Sequence, residues 1–142
     1  MPVLSRAETI WEGDLMTGNG TVSAKTGAFA ALPVNWKARS EGGPNTTPEE
    51  LIAAAHASCF SMAFSARLAK NGTPPQRLTV ACTVTFQPGQ GIKASDLEVT
   101  GAVKGIDAAT FEKLALDAKE NCPVSMALKG NVPLSVKATL AA

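Results

Sequence analysis

Residues 47–64, Thr-Pro-Glu-Glu-Leu-Ile-Ala-Ala-Ala-His-Ala-Ser-Cys-Phe-Ser-Met-Ala-Phe, constrain the chain more than any other stretch. Thr47 is a good N-cap, and Pro48 fits the first helical position, where a missing N–H costs nothing. Glu50 lies three residues past Thr47 and completes a capping box, which gives it a structural task and leaves Glu49 without one. The helix is expected to end near Asn71-Gly72, with Pro74 and Pro75 just beyond. From residue 51 to 66 nearly every side chain is apolar or small, and a helix apolar all round is a buried one. A membrane span needs roughly 20 strongly apolar residues. This stretch is interrupted by His56 and three serines, starts with two glutamates and runs into Arg67 and Lys70, so a buried central helix is the better reading.

The rest of the chain reads as strands and two more helices. Residues 7–11 and 20–25 form short strands set off by Asn19-Gly20 and Thr26-Gly27. Residues 29–38, broken by Pro33, form either an edge strand or an ordered loop. Arg39 follows, and Ser40 to Asn45 is a loop leading into the helix. After the helix, Leu78, Val80, Cys82, Val84 and Phe86 alternate with Thr79, Ala81, Thr83 and Thr85, a half-buried strand. Leu97, Val99, Gly101 and Val103 return antiparallel to it. Asp107 caps a helix over 108–121 with Phe111, Leu114, Ala115 and Ala118 inward. Pro123 breaks that helix and opens a short one over 123–129, and Leu134, Val136, Ala138 and Leu140 form the last strand. The order predicts an α+β fold with antiparallel sheets around the long helix.

With 142 residues the chain is expected to be a single domain, 1–142. A net charge of +1, with no basic run and no interleaving of basic and aromatic residues, argues against nucleic acid or an anionic membrane as partner. The first six residues carry no apolar signal region, so the expected compartment is the cytoplasm, where thiols stay reduced. Cys59, Cys82 and Cys122 then suggest free thiols or redox chemistry rather than a disulfide framework.

The three cysteines differ in setting. Cys82 shares the apolar face of a strand and reads as inert core. Cys122 precedes Pro123; as N-cap of the short helix it would meet backbone N–H groups that favour a thiolate, or it simply packs at a helix end. Cys59 is mid-helix, too far from the N-terminus for the dipole to matter, and is either a small core residue or a reactive thiol with a cation brought near. Arg39, His56 and a distant lysine are the candidate cations. His56, three residues before Cys59 on the same face, either pairs with that thiol or is a core histidine bonded to a carbonyl. Ten residues of helix span about 15 Å, so Glu49 cannot touch Cys59 of its own helix. A shared site needs Glu49 from a second copy of the chain; otherwise Glu49 only complements the helix N-terminus.

Residues 47–63 resemble the central helix of the OsmC/Ohr family, thiol-dependent peroxidases that reduce organic hydroperoxides. Asn121-Cys122-Pro123-Val124-Ser125 is similar to the family's second cysteine motif. Trp11-Glu12-Gly13-Asp14, Gly20-Thr21-Val22-Ser23 and Arg39 with Glu41-Gly42 are weaker matches, and the His-Ala-Ser-Cys-Phe-Ser-Met segment resembles the OsmC branch. The resemblance implies an intertwined homodimer with two sites at the subunit interface. It implies a peroxidatic Cys59, a resolving Cys122, Arg39 holding the reactive thiolate and Glu49 orienting that arginine. It further implies a Cys59 sulfenic acid, a Cys59–Cys122 disulfide and regeneration by an external dithiol, of lipoyl type, with no metal or other cofactor. An apolar wall from Phe60, Met62 and Phe64 would favour organic peroxides.

Two rivals belong to other classes. A zinc protein using His56 and the three cysteines fails on spacing, because no C-x-x-C pair is present. A non-catalytic dimeric binding protein with buried thiols is the alternative that stays open.

Overall fold

A computed structural model describes all 142 residues. The chain runs β1 (Ala7–Glu12), β2 (Asn19–Ala24), β3 (Leu32–Val34), α1 (Trp36–Glu41), α2 (Pro48–Lys70), β4 (Arg77–Gln87), β5 (Gly91–Ala102), α3 (Ala108–Asn121), α4 (Pro123–Leu128), β6 (Leu134–Leu140). Its contacts divide it into two compact units, Met1–Leu51 and Ile52–Ala142.

The first unit is a three-stranded antiparallel sheet in the order β1-β2-β3, followed by α1. Gly20 of β2 stands opposite Trp11 and has no room for a side chain: a Cβ there would lie 2.7 Å from the Trp11 ring. The segment expected as an edge strand or loop divides in two. Leu32–Val34 pairs with β2, and Trp36–Glu41 coils into a helix. Asn35 caps that helix, its Oδ1 accepting the Ala38 N–H at 2.8 Å, and Gly42 ends it at φ 85°. Arg39 therefore projects from a helix rather than trailing a strand.

In the second unit β4 and β5 form a long antiparallel hairpin with Leu78 opposite Gly101 and Cys82 opposite Leu97. β6 differs from the expected all-antiparallel arrangement, lying parallel to β5 with Leu97 opposite Val136. The chain between them passes through α3 and α4, and a helical crossover delivers the next strand in the parallel sense. Phe60, Phe64 and Leu68 of α2 join Leu97 and Val99 of β5 and Phe111, Ala115, Ala118 and Cys122 in one buried cluster. The Phe64 and Phe111 rings are 4.9 Å apart and tilted by 53°. Such pairs add about 0.5–1.5 kcal/mol beyond area burial.

The Thr47 half of the expected cap of α2 is present: Thr47 Oγ1 accepts the Glu50 N–H at 3.0 Å. Its burial is not. His56, Phe60, Phe64 and Leu68, spaced by four, are fully buried, while Ala54, Ala55, Ser58, Met62, Ala66 and Ala69 are exposed. One chain covers one face of this helix, although by length and composition alone it is apolar enough to cross a membrane.

Candidate thiol site

Each half of the expected site is built within one of the two units. In the first, Arg39 on α1 grips Glu49 at the start of α2. Arg39 Nε donates to Glu49 Oε1 at 3.0 Å and Oε2 at 3.2 Å, and Nη2 donates to Oε2 at 3.0 Å. Glu49 is buried, and a two-pronged guanidinium–carboxylate contact fixes the plane of the arginine as well as its position. Arg39 also lines a mostly apolar groove of about 310 Å³ walled by Trp11, Leu15, Val22, Val34, Trp36 and Leu51.

In the second unit the structure brings Cys59 and Cys122 together. Cys122 is fully buried in the core cluster, and Cys59 packs against that cluster from α2. Both are free thiols. Cys122 is the N-cap of α4, its Sγ accepting the Ser125 N–H at 3.3 Å. Burial pushes the Cys59 thiol up; a Val124 backbone contact pulls it down, and the Cys122 sulfur raises it further through hydrogen bonding and charge. These influences leave the thiol form favoured.

Three expectations differ from the structure. Phe60 and Phe64 are fully buried against the strands and Phe111, and Met62 is largely exposed, so these side chains do not form a common wall. His56 is a fully buried core histidine, but its ring bonds neither Cys59 nor a carbonyl. Its Nδ1 lies 2.6 Å from Ser95 Oγ and its Nε2 2.8 Å from Ser125 Oγ. Ser95 also meets Cys82 Sγ at 3.3 Å, and Cys122 Sγ donates to Ser125 Oγ at 3.1 Å. Cys82 is thus half-buried beside a polar group, not simply core. Burial and the nearby Asp96 charge raise its pKa, while the Ser95 hydroxyl lowers it. The strand expected from Leu97 onward leaves Ser95 out, whereas β5 begins at Gly91. Carrying the alternation back two residues lands a serine on the apolar face, which was the available signal. No group of three or more His, Cys, Asp or Glu side chains converges on a metal-sized site.

Fold and site define an α+β protein with a thiol pair, one buried and one half-buried, and a separately built arginine–carboxylate pair. The chain belongs to the OsmC-like protein family, whose family model matches residues 40–137. It is 40% identical over 137 residues to the peroxiredoxin OsmC of Escherichia coli K12, covering 94% of this chain and 96% of that one. It is 32% identical over 102 residues to organic hydroperoxide resistance protein-like 1 of Staphylococcus saprophyticus, covering 70% of this chain and 72% of the relative. In fold it is similar to the crystal structure of an organic hydroperoxide resistance protein OsmC from Legionella pneumophila, with TM-score 0.68, 23% identity and coverage of 97% and 99% of the two chains.

Proposed function

We propose that this protein is a cysteine-based peroxidase that reduces organic hydroperoxides to alcohols. The observation that carries the reading is the pairing of Cys59 with Cys122 inside one packed cluster, in a chain that keeps both as free thiols. The relatives named peroxiredoxin and organic hydroperoxide resistance protein support a peroxidase role in general.

The Cys59 thiolate attacks one peroxide oxygen, the O–O bond breaks, and the alkoxide leaves as the alcohol after taking a proton. Cys59 is now a sulfenic acid. Cys122 condenses with it to a disulfide and releases water, and an external dithiol, of lipoyl type, restores both thiols by exchange.

The thiolate needs a cation, because the surroundings of Cys59 within one chain raise its pKa. We assign that task to Arg39 of a second copy, oriented by Glu49, in a homodimer with two shared sites. Two features support this assignment. Glu49 and Cys59 are separated by about 15 Å of helix axis in one chain, and α2 has an uncovered face of alanines, Ser58 and Met62. The groove beside Arg39 then supplies the apolar wall that suits an alkyl or aryl peroxide.

Steady-state consumption of tert-butyl hydroperoxide with dihydrolipoamide as reductant tests the reading. Turnover is expected in the parent protein and none in Cys59→Ser. Equal turnover in Cys59→Ser, or none in the parent protein with either dihydrolipoamide or dithiothreitol, would overturn it. A non-catalytic binding protein with buried thiols would give the second result.

A further inference from the structure

His56 is the chain's one histidine, and it is fully buried. Both its ring nitrogens are bonded to serine hydroxyls, Ser95 on β5 and Ser125 on α4. A carbonyl would merely accept a hydrogen bond. A hydroxyl both accepts and donates, so it can pass a proton on.

The direction of the bonds follows from counting hydrogens. Cys122 Sγ donates to Ser125 Oγ at 3.1 Å. The single Ser125 hydrogen is then directed at His56 Nε2, 2.8 Å away, which makes Nε2 the acceptor. The ring hydrogen sits on Nδ1 and is given to Ser95 Oγ at 2.6 Å, leaving the Ser95 hydrogen for Cys82 Sγ at 3.3 Å. Every polar atom of the row has a partner, and its far end at Ser95 and Cys82 holds the tautomer that turns a lone pair toward Ser125.

We propose that Ser125 and His56 form a proton relay serving Cys122, in which Ser125 touches the resolving thiol and His56 acts through it as a positioning residue and proton acceptor. The proposal rests on the peroxidase reading and deepens it. As the Cys122 S–H proton moves to Ser125 Oγ, the Ser125 proton moves to His56 Nε2. The Cys122 sulfur attacks the sulfenic sulfur of Cys59, the S–S bond forms, and the S–OH bond breaks with its electron pair going to oxygen. The hydroxide recovers one proton, which in net terms is the one taken from Cys122, and leaves as water. Cys122 is oxidised, the sulfenic sulfur is reduced, and no further reactant is consumed.

The titratable groups facing His56 are thiols. On β4 Cys82 Sγ lies 3.7 Å from Nδ1; at the α4 end Cys122 is reached through Ser125; on α2 itself Cys59 is three residues away. Asp96 of β5 acts on Cys82 and accepts a hydrogen bond from Ser135. Burial lowers the pKa of His56, so the ring is neutral and able to accept at neutral pH.

The test separates the two chemical steps in the full-length protein. One equivalent of tert-butyl hydroperoxide is added, sulfenic acid is trapped with dimedone at short times, and disulfide is followed by quench and mass analysis from pH 6 to 9. General acid–base groups typically contribute about 10²–10⁴-fold. The ratio of disulfide rate to sulfenic-acid rate is expected to fall about 10²-fold at pH 7 in His56→Asn and Ser125→Ala. The deficit should shrink as pH rises, because solvent hydroxide then takes the proton, and Ser125→Thr, which keeps a hydroxyl, should recover most of the rate. If His56→Asn does not fold, Ser125→Ala, which removes one oxygen, decides the matter. A parental ratio in folded Ser125→Ala, or a deficit equal at every pH, overturns the relay while leaving the peroxidase reading intact. Failure of the parent protein to form the Cys59–Cys122 disulfide overturns both.

Discussion

At the scale of single residues, the protonation of Cys59 decides its reactivity. Burial pushes the Cys59 thiol up and Cys122 adds to this against the pull of the Val124 backbone, so the proposed chemistry at neutral pH calls for a neighbouring cation. Removing Arg39 should therefore slow iodoacetamide alkylation of Cys59 at pH 7 about tenfold for each unit by which the pKa rises, and move the alkylation midpoint to higher pH. Unchanged alkylation in Arg39→Ala would contradict the role given to that arginine. His56 gives a second residue-scale expectation. Its pKa in the folded protein lies below the ordinary 6.5, so the folded state binds fewer protons than the unfolded one just under that pH. This contribution to stability is complete above about pH 6.5 and is lost as pH falls from there through the folded value. Because there is one histidine, its ring proton resonances report the titration alone, and a midpoint at or above 6.5 would contradict the burial argument. In the sequence, setting alone leaves Cys59 and Cys122 open between packing and reactive thiols, and the family resemblance is what singles them out. The second use of Ser95 and Ser125 is not legible there, because a hydroxyl's partner depends on which elements the fold brings together.

At the scale of elements, local signals were read well wherever they were periodic or capped. The cap at Thr47, the alternation on β4 and the Asp107 and Cys122 caps all appear where residue pattern placed them. The helix α1 was missed because six residues are too few to show a 3.6-residue period. Its flanks, Asn35 and Gly42, were nevertheless a usual N-cap and C-terminal glycine. The parallel placement of β6 depends on the crossover and not on anything in the strand itself. Packing gives a sharp test here. A Cβ on Gly101 would lie 2.5 Å from Phe111 Cζ and 3.2 Å from Leu78 Cδ2. Gly101→Ala should destabilise by about 1–3 kcal/mol in urea unfolding, the usual range for overpacking. Phe111→Leu should offset part of that loss, so that the double variant is more stable than the sum of the two single effects. Strict additivity would contradict the contact.

At the scale of the whole molecule, the uncovered face of α2 is the feature that sequence reasoning got half right. The run of small and apolar residues implied burial on all sides, and beyond the first turn one chain buries only the row His56, Phe60, Phe64 and Leu68. Met62 remains 73% exposed at the centre of the other face. The proposed second copy of the chain would account for both the composition and the exposure. On the proposed dimer, Met62→Glu, which places a charge on that face, should shift the protein from dimer to monomer in sedimentation and lower peroxide turnover in parallel, because a shared site would be lost with the interface. A parent protein that sediments as a monomer at micromolar concentration would contradict this arrangement.

The central claim is that Cys59 and Cys122 work as a redox pair. The most direct measurement is to treat the reduced protein with one equivalent of an alkyl hydroperoxide and map its cysteines by peptide mass analysis. The expected outcome is rapid, near-stoichiometric loss of both thiols to a Cys59–Cys122 disulfide, with Cys82 still reduced, and no disulfide in Cys59→Ser. An unchanged Cys59 with Cys122 fully reduced would contradict it.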